Sequence, residues 1–172
     1  MVEKKTFSEE SLYEIARSKV NFRLSVKVHV GVFIVVSAML LTINLIFSPS
    51  ILWVLYPFFG WFIGVVLHTT AYIVYARGVY PIAKRGVIFH ICAFTFVILY
   101  LFIINIVTFP HYYWVIYPLI FWGAALTIHI IAYLVYFRGR IDDRGESKSR
   151  REKAIEKEIE KMRKRMNKKE VK

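Results

Sequence analysis

The sequence predicts an all-α integral membrane protein: four transmembrane helices, arranged as two tandem helical hairpins with an internal pseudo-two-fold, followed by a charged C-terminal helical tail. Three observations predict it. The 172 residues are 57% hydrophobic and 17% aromatic, yet they carry a formal net charge of +12, so the charge must be segregated from the apolar part. No Asp, Glu, Lys or Arg occurs from Val28 to Ala76 or from Gly86 to Phe137, and each gap is about twice the length of one membrane-crossing helix. Finally, a shift of 61 residues lays His29–Gly78 on His90–Gly139 with 19 identities in 50 positions, the mark of a tandem duplication.

Each charge-free gap contains turn formers near its middle, Ser48-Pro49-Ser50 in the first and Pro110 in the second, so each divides into a hairpin. The spans expected are Ser25–Phe47, Leu52–Tyr75, Gly86–Phe109 and Tyr112–Phe137. Long runs of Leu, Ile, Val and Phe without period-two alternation favour helices over barrel strands. A soluble bundle is excluded because the helices would lack charges for a solvent face. The first span has no small-residue cleavage site, and its internal copy is itself a span, so it is read as a retained helix and not as a signal peptide.

The flanks complete the plan: an N-terminal amphipathic segment (1–24), two hairpins (25–78 and 79–139) and a basic tail (140–172). Thr6 with Glu9, or Ser8, is expected to cap a short interfacial helix bearing Leu12, Ile15 and Ala16 on one face. Arg17, Lys19, Arg23 and Lys27 precede the first span, Arg77, Lys84 and Arg85 lie in the central loop, and Arg138 and Arg140 follow the fourth, whereas the hairpin turns carry no cation. That bias places both termini and the central loop on the cytoplasmic side of a cell membrane. Trp53, Tyr56, Tyr112, Tyr113, Trp114 and Tyr117 then fall at the outer interface, where amphipathic rings are favoured.

From Arg140 to Lys172 there are 14 Lys/Arg against 8 Asp/Glu, and Ile155, Ile159, Met162 and Met166 keep a four-three-four spacing. Three readings of this tail stand: a solvated charged helix, a binder of anionic lipid headgroups, or a short coiled coil to another copy or another membrane protein. Nucleic acid is disfavoured, since the acids interrupt the bases and no aromatic residue lies among them.

Within the spans the chemistry concentrates in His29, His68, His90 and His129. His29 and His68 are 39 residues apart with their midpoint at the first turn, and His90 and His129 repeat this around Pro110. Regular helices would bring all four to one level, about 27–29 Å from the turns. The histidines are the cofactor-binding candidates, with several uses open. They could hydrogen-bond across helices and hold the hairpins in register. They could ligate haem b as a bis-His pair, with Gly60 and Gly64 making room for the macrocycle. They could form a metal site of three or four imidazoles, or a protonation switch.

Other repeated residues have structural readings. Pro57 and Pro118 are expected about two turns into their helices, kinking or loosening the outer ends, with Asn44 and Asn105 bonding the carbonyls so freed. Gly60-x-x-x-Gly64 fits close helix approach. His111 is a turn residue opposite Ser50, and Cys92, the single cysteine, is a packing residue. An enzyme is not expected: the spans offer no carboxylate, Lys or Arg beside the histidines, and no phosphate loop or nucleophile constellation appears.

One run of residues carries a resemblance. Ile15-Ala16-Arg17 through Phe22-Arg23 is followed by His29, by Trp53-Val54-Leu55-Tyr56-Pro57-Phe58-Phe59-Gly60-Trp61-Phe62-Ile63-Gly64, and by His68. The second copy reads Ile82-Ala83-Lys84-Arg85, His90, Trp114-Val115-Ile116-Tyr117-Pro118, Trp122 and His129. This pattern resembles the 2TM domain family of prokaryotic membrane proteins over residues 15–139. The resemblance implies a hairpin module, found alone or joined to sensor kinases, with no assigned biochemical activity. The second copy departs from it by placing Phe121 and Ala125 where Gly60 and Gly64 stand, and no kinase or DNA-binding output domain follows. The function expected is a structural, interaction or accessory module, with a bis-His haem protein or a histidine metal site near the cytoplasmic face as the alternative.

Overall fold

The computed structural model of the chain describes residues 8–79, 82–141 and 147–170. Five α-helices follow in order: α1 (Glu9–Phe47), α2 (Leu55–Ala76), α3 (Ile82–Thr108), α4 (Ile116–Ala132), which a π-turn (Tyr133–Phe137) prolongs, and α5 (Arg150–Glu170). A two-residue ladder, β1 (Arg140–Ile141) against β2 (Ser147–Lys148), lies between the π-turn and α5. The first four helices, the fourth counted through Phe137, are long and apolar enough to cross a membrane. The four expected spans are all present. The helices pack in chain order, α1 on α2, α2 on α3 and α3 on α4, with no comparable contact of α4 on α1 among the described residues. The two hairpins therefore lie side by side.

The N-terminal flank and the first span form one helix. Ser8 caps it, its hydroxyl oxygen accepting the Ser11 N–H at 3.2 Å, while Thr6, the other capping residue considered, lies outside the described residues. At 39 residues, α1 is about 58 Å long at 1.5 Å per residue. That is nearly twice a hydrocarbon core of about 30 Å, so its charged first half projects beyond the membrane.

Both hairpin turns are built on a fully buried asparagine. Asn44 donates from Nδ2 to the carbonyls of Ser48 and Ile51, at 2.8 and 2.7 Å, and accepts the Val54 N–H at 2.8 Å. Asn105 does the same to Phe109, Tyr112 and Val115, at 3.0, 2.7 and 2.9 Å. Each amide thus closes an irregular segment whose backbone polar groups would otherwise be unpaired next to lipid.

The expected link between these asparagines and the prolines is corrected. Because α2 and α4 start at Leu55 and Ile116, Pro57 and Pro118 fall in the first turn, where an N–H has no partner inside the helix. The carbonyls they would have reached are taken instead by neighbours: Tyr56 N–H donates to Trp53 and Tyr117 N–H to Trp114, both at 3.1 Å. No kink results. The asparagines bond turn groups.

The tight-approach reading of Gly60 and Gly64 is also corrected. A methyl group at Gly64 would meet nothing within 4 Å, and one at Gly60 would meet only the tip of the Tyr100 side chain of α3, at 3.7 Å from its hydroxyl, an ordinary contact. Both glycines are exposed, and neither holds two helix backbones together. Packing between the hairpins is carried by larger groups, including Phe62 against Phe96 at 5.7 Å between ring centroids and Cys92 Sγ 3.4 Å from Thr70 Oγ1. Many apolar side chains point away from the protein, Phe47 and Phe121 being 77% and 74% exposed, as lipid-facing residues would be.

At the far ends the two copies diverge. α2 closes with Gly78 at φ 57°, the Gly78 N–H donating to Tyr75 and the Val79 N–H to Val74, the paired bonds of a Schellman cap. The fourth span ends in the π-turn, and α5 packs back on it. α5 starts with a reciprocal cap: Ser149 N–H donates to Glu152 Oε2 at 2.6 Å and Glu152 N–H to Ser149 Oγ at 3.2 Å.

Candidate functional site

The four histidines are brought together as two pairs, one inside each hairpin. His29 Nδ1 lies 2.9 Å from His68 Nδ1, and His90 Nδ1 lies 2.8 Å from His129 Nδ1. Each pair has a third member. The Trp61 indole Nε1–H donates to His29 Nε2 at 2.8 Å, and Trp122 Nε1–H to His90 Nε2 at 2.7 Å.

These contacts fix the direction of every bond. An indole nitrogen only donates, so His29 Nε2 is unprotonated and the ring carries its hydrogen on Nδ1. That hydrogen is donated to His68 Nδ1, which leaves His68 with its hydrogen on Nε2. The same logic sets His90 and His129. Each hairpin therefore contains a one-way chain, Trp to His to His, that consumes both nitrogens of the first ring and the inward nitrogen of the second. The network needs neutral imidazoles.

Local structure explains why these residues meet. His29 and Phe33 are one helical turn apart, so they share a face of α1, and Phe33 packs on Phe58, Trp61 and Phe62 of α2 with centroids 5.2, 5.9 and 6.1 Å away. Trp61 and His68 are two turns apart on the facing side of α2, so His29 is received between them. Phe94 repeats the edge-on contact with Trp122 at 5.8 Å.

The outward Nε2–H of the second histidine is where the copies differ. In the first hairpin Ser25 Oγ stands 3.5 Å from His68 Nε2, and Phe22 covers the ring at 5.5 Å between centroids. In the second, the repeat places Gly86 and Ala83 at those positions, and a methyl group built at Gly86 would lie 3.9 Å from His129 Nε2. The glycine leaves that nitrogen open. A groove of about 510 Å³, lined by Asn21, Leu24, Ser25, Val28, His29 and His68, opens over the first pair.

The arrangement limits what the histidines can hold. A metal ion held by two imidazoles at about 2 Å each, at a tetrahedral angle, sets the nitrogens about 3.3 Å apart, whereas the facing pairs are 2.9 and 2.8 Å apart, the spacing of a hydrogen bond. Among the described residues no group of three or more His, Cys, Asp or Glu is placed to hold a metal ion. Gly60 and Gly64, expected to make room for a macrocycle, do not line the paired rings. His111 is exposed in the second turn.

Sequence reasoning did not join Trp61 and Trp122 to the histidines. A signal existed, since the two tryptophans share the 61-residue repeat with the histidines and each lies 32 residues after its partner.

A family model, the 2TM domain, matches residues 14–77 and again residues 83–162. The chain belongs to the 2TM domain family. The two matched stretches correspond to the two hairpins, so each copy of the 2TM domain holds one complete Trp–His–His chain, and the second match runs on into α5. With its four membrane-length helices, this 2TM protein is a small multi-pass membrane protein. No curated protein and no solved structure matches it.

Proposed function

We propose that this 2TM protein is a structural or interaction module of the cell membrane, and not an enzyme, in which each hairpin is locked internally so that its outer faces are presented in fixed register to lipid or to another membrane protein. The observation that supports this reading is the closed Trp–His–His chain. It bonds the indole and the facing imidazole nitrogens to one another, within stretches that carry no Asp, Glu, Lys or Arg. Polar bonds between membrane helices contribute about 0.6–2 kcal/mol each, which suits a role in register. In this reading both termini and the central loop face the cytoplasm, as the distribution of Lys and Arg favours. The outward α5 charges meet anionic lipid, and the exposed helix faces serve a second copy or a membrane-protein partner.

The alternative, a bis-His haem or metal protein, would require each pair to separate and the Trp bond to be given up. One preparation tests both. The protein is purified in detergent with haem supplied, alongside His29→Ala, His68→Ala, His90→Ala and His129→Ala. Lowered thermal midpoints in all four variants without any Soret or α-band signal support the module. A haem band lost in His68→Ala overturns it. Labelling of single cysteines introduced at Ser50 and Ser18, in a Cys92→Ser background, with an impermeant maleimide tests the orientation, which requires only the Ser50 position to react from outside intact cells.

A further inference from the structure

The second repeat ends in a cationic concavity. The π-turn is followed by Arg138, and the β1–β2 pairing sets Arg140 opposite Lys148, returning the chain so that α5 begins beside the end of the fourth span. Arg151 stacks over the Phe137 ring at 5.9 Å, and Ser149, only 6% exposed, anchors the first turn of α5. Around this junction a cavity of about 270 Å³ is lined by Val135, Arg138, Lys148, Arg150 and Lys153. Four cations on three separate elements converge on one space. The Glu156 carboxylate, 3.0 Å from Lys148 Nζ, offsets part of this charge, and Glu152 is engaged by the cap of α5. Among the described residues, the four cations lining the cavity outnumber these two carboxylates.

We propose that this concavity binds a phosphate group, and that the headgroup phosphate of an anionic lipid is the source its position favours. Like charges held together at a protein surface repel unless an anion joins them, and a phosphate offers several strong acceptor oxygens to Lys and Arg at once. The cavity sits at the membrane-surface end of a span, with Val135 as its apolar side, so a headgroup can enter while its acyl chains stay in the bilayer. The attraction to acidic lipid is strongest for cations within a Debye length of the surface, where Arg138 and Lys148 stand. This proposal rests on the reading that the tail meets anionic lipid, and narrows it from a diffuse α5 surface to one site.

The full-length protein in neutral detergent is titrated with phosphatidic acid, with phosphatidylcholine and with inorganic phosphate, and its thermal midpoint is followed. Three forms are compared: native, Arg138→Gln/Lys153→Gln, and Lys161→Gln/Lys164→Gln, which removes the same charge farther along α5. Phosphatidic acid should raise the native midpoint while phosphatidylcholine does not, and half-maximal effect should need about tenfold more lipid in Arg138→Gln/Lys153→Gln but not in Lys161→Gln/Lys164→Gln. An equal rise with inorganic phosphate at the same concentration keeps the site and makes a soluble phosphate its ligand. Equal losses in both variants overturn the site while leaving diffuse attraction of the tail to lipid intact. No response of the native protein to either phosphate source overturns both. If Arg138→Gln lowers the unliganded midpoint, Lys153→Gln alone carries the comparison.

Discussion

Trp61 donates its indole hydrogen to His29 across 2.8 Å, and the pair recurs as Trp122 and His90 at 2.7 Å. The bond makes the first imidazole of each hairpin an acceptor on one side and hence a donor on the other. One indole therefore orients two histidines.

Trp61→Phe removes that donor while keeping an aromatic ring. His29 loses the partner that fixes its tautomer, and the hairpin should lose about 0.6–2 kcal/mol in equilibrium unfolding from mixed micelles. His29→Ala should cost less in the Trp61→Phe background than in the native protein, because the two share one chain of bonds. Strict additivity of the two losses would separate them.

Asn44 and Asn105 are the most consequential polar residues of the fold. Each is fully buried and makes three bonds to its turn. Asn44→Leu leaves two carbonyls and one N–H without that partner, at about 1–3 kcal/mol for each group that stays buried. Asn44→Asp should be at least as damaging, since a carboxylate would face two carbonyl oxygens. Wild-type unfolding curves for either variant would remove the turn from the account.

Pro57→Ala and Pro118→Ala should change stability by less than about 0.5 kcal/mol, because first-turn prolines give up no helical hydrogen bond. Val65→Pro, in the middle of α2, should cost about 3 kcal/mol or more. A large loss from Pro57→Ala would restore a kinked outer end.

The start of α5 should depend on pH. The Ser149 backbone N–H and then its hydroxyl bond the Glu152 carboxylate, and Arg151 and Lys148 add attraction, holding its carboxyl below the usual carboxylate range. A carboxyl with a depressed folded value stabilises the fold above its unfolded value, and that contribution is lost as pH falls through the folded value. Exchange protection of the Ser149 amide, corrected for intrinsic rates, should therefore fall below the ordinary carboxylate range. In Glu152→Gln it should be weaker and flat with pH.

Much of this was legible in the sequence. Charge-free gaps interrupted by Ser48-Pro49-Ser50 and Pro110 mark two hairpins, and the 61-residue shift marks the duplicated site. His29 with His68, and His90 with His129, are placed opposite one another by their distances from the turns. The partners were harder to read. Asn44 is 10 residues from Val54, and its bonds depend on an irregular turn that no periodicity encodes. Pro57 was misplaced because apolarity sets a span only to within several residues, whereas the helix start depends on where the Asn44 bonds release the chain. Trp61 has ample apolar reasons to sit in a span, so its single N–H gives no composition signal. Ser149 and Glu152 do have the spacing of a capping box, hidden in a tail dominated by charge.

The central claim is that each hairpin is closed by a directional bond between two neutral imidazoles. Protein with ¹⁵N-labelled histidine, reconstituted in lipid, allows NMR to read both tautomers and the coupling between ring nitrogens. The account requires two Nδ1-to-Nδ1 correlations, His29 with His68 and His90 with His129. His29 and His90 should be protonated at Nδ1 and their partners at Nε2, and Trp61→Phe should disturb only the first pair. Four histidines without such correlations, or His29 and His90 protonated at Nε2, would contradict it.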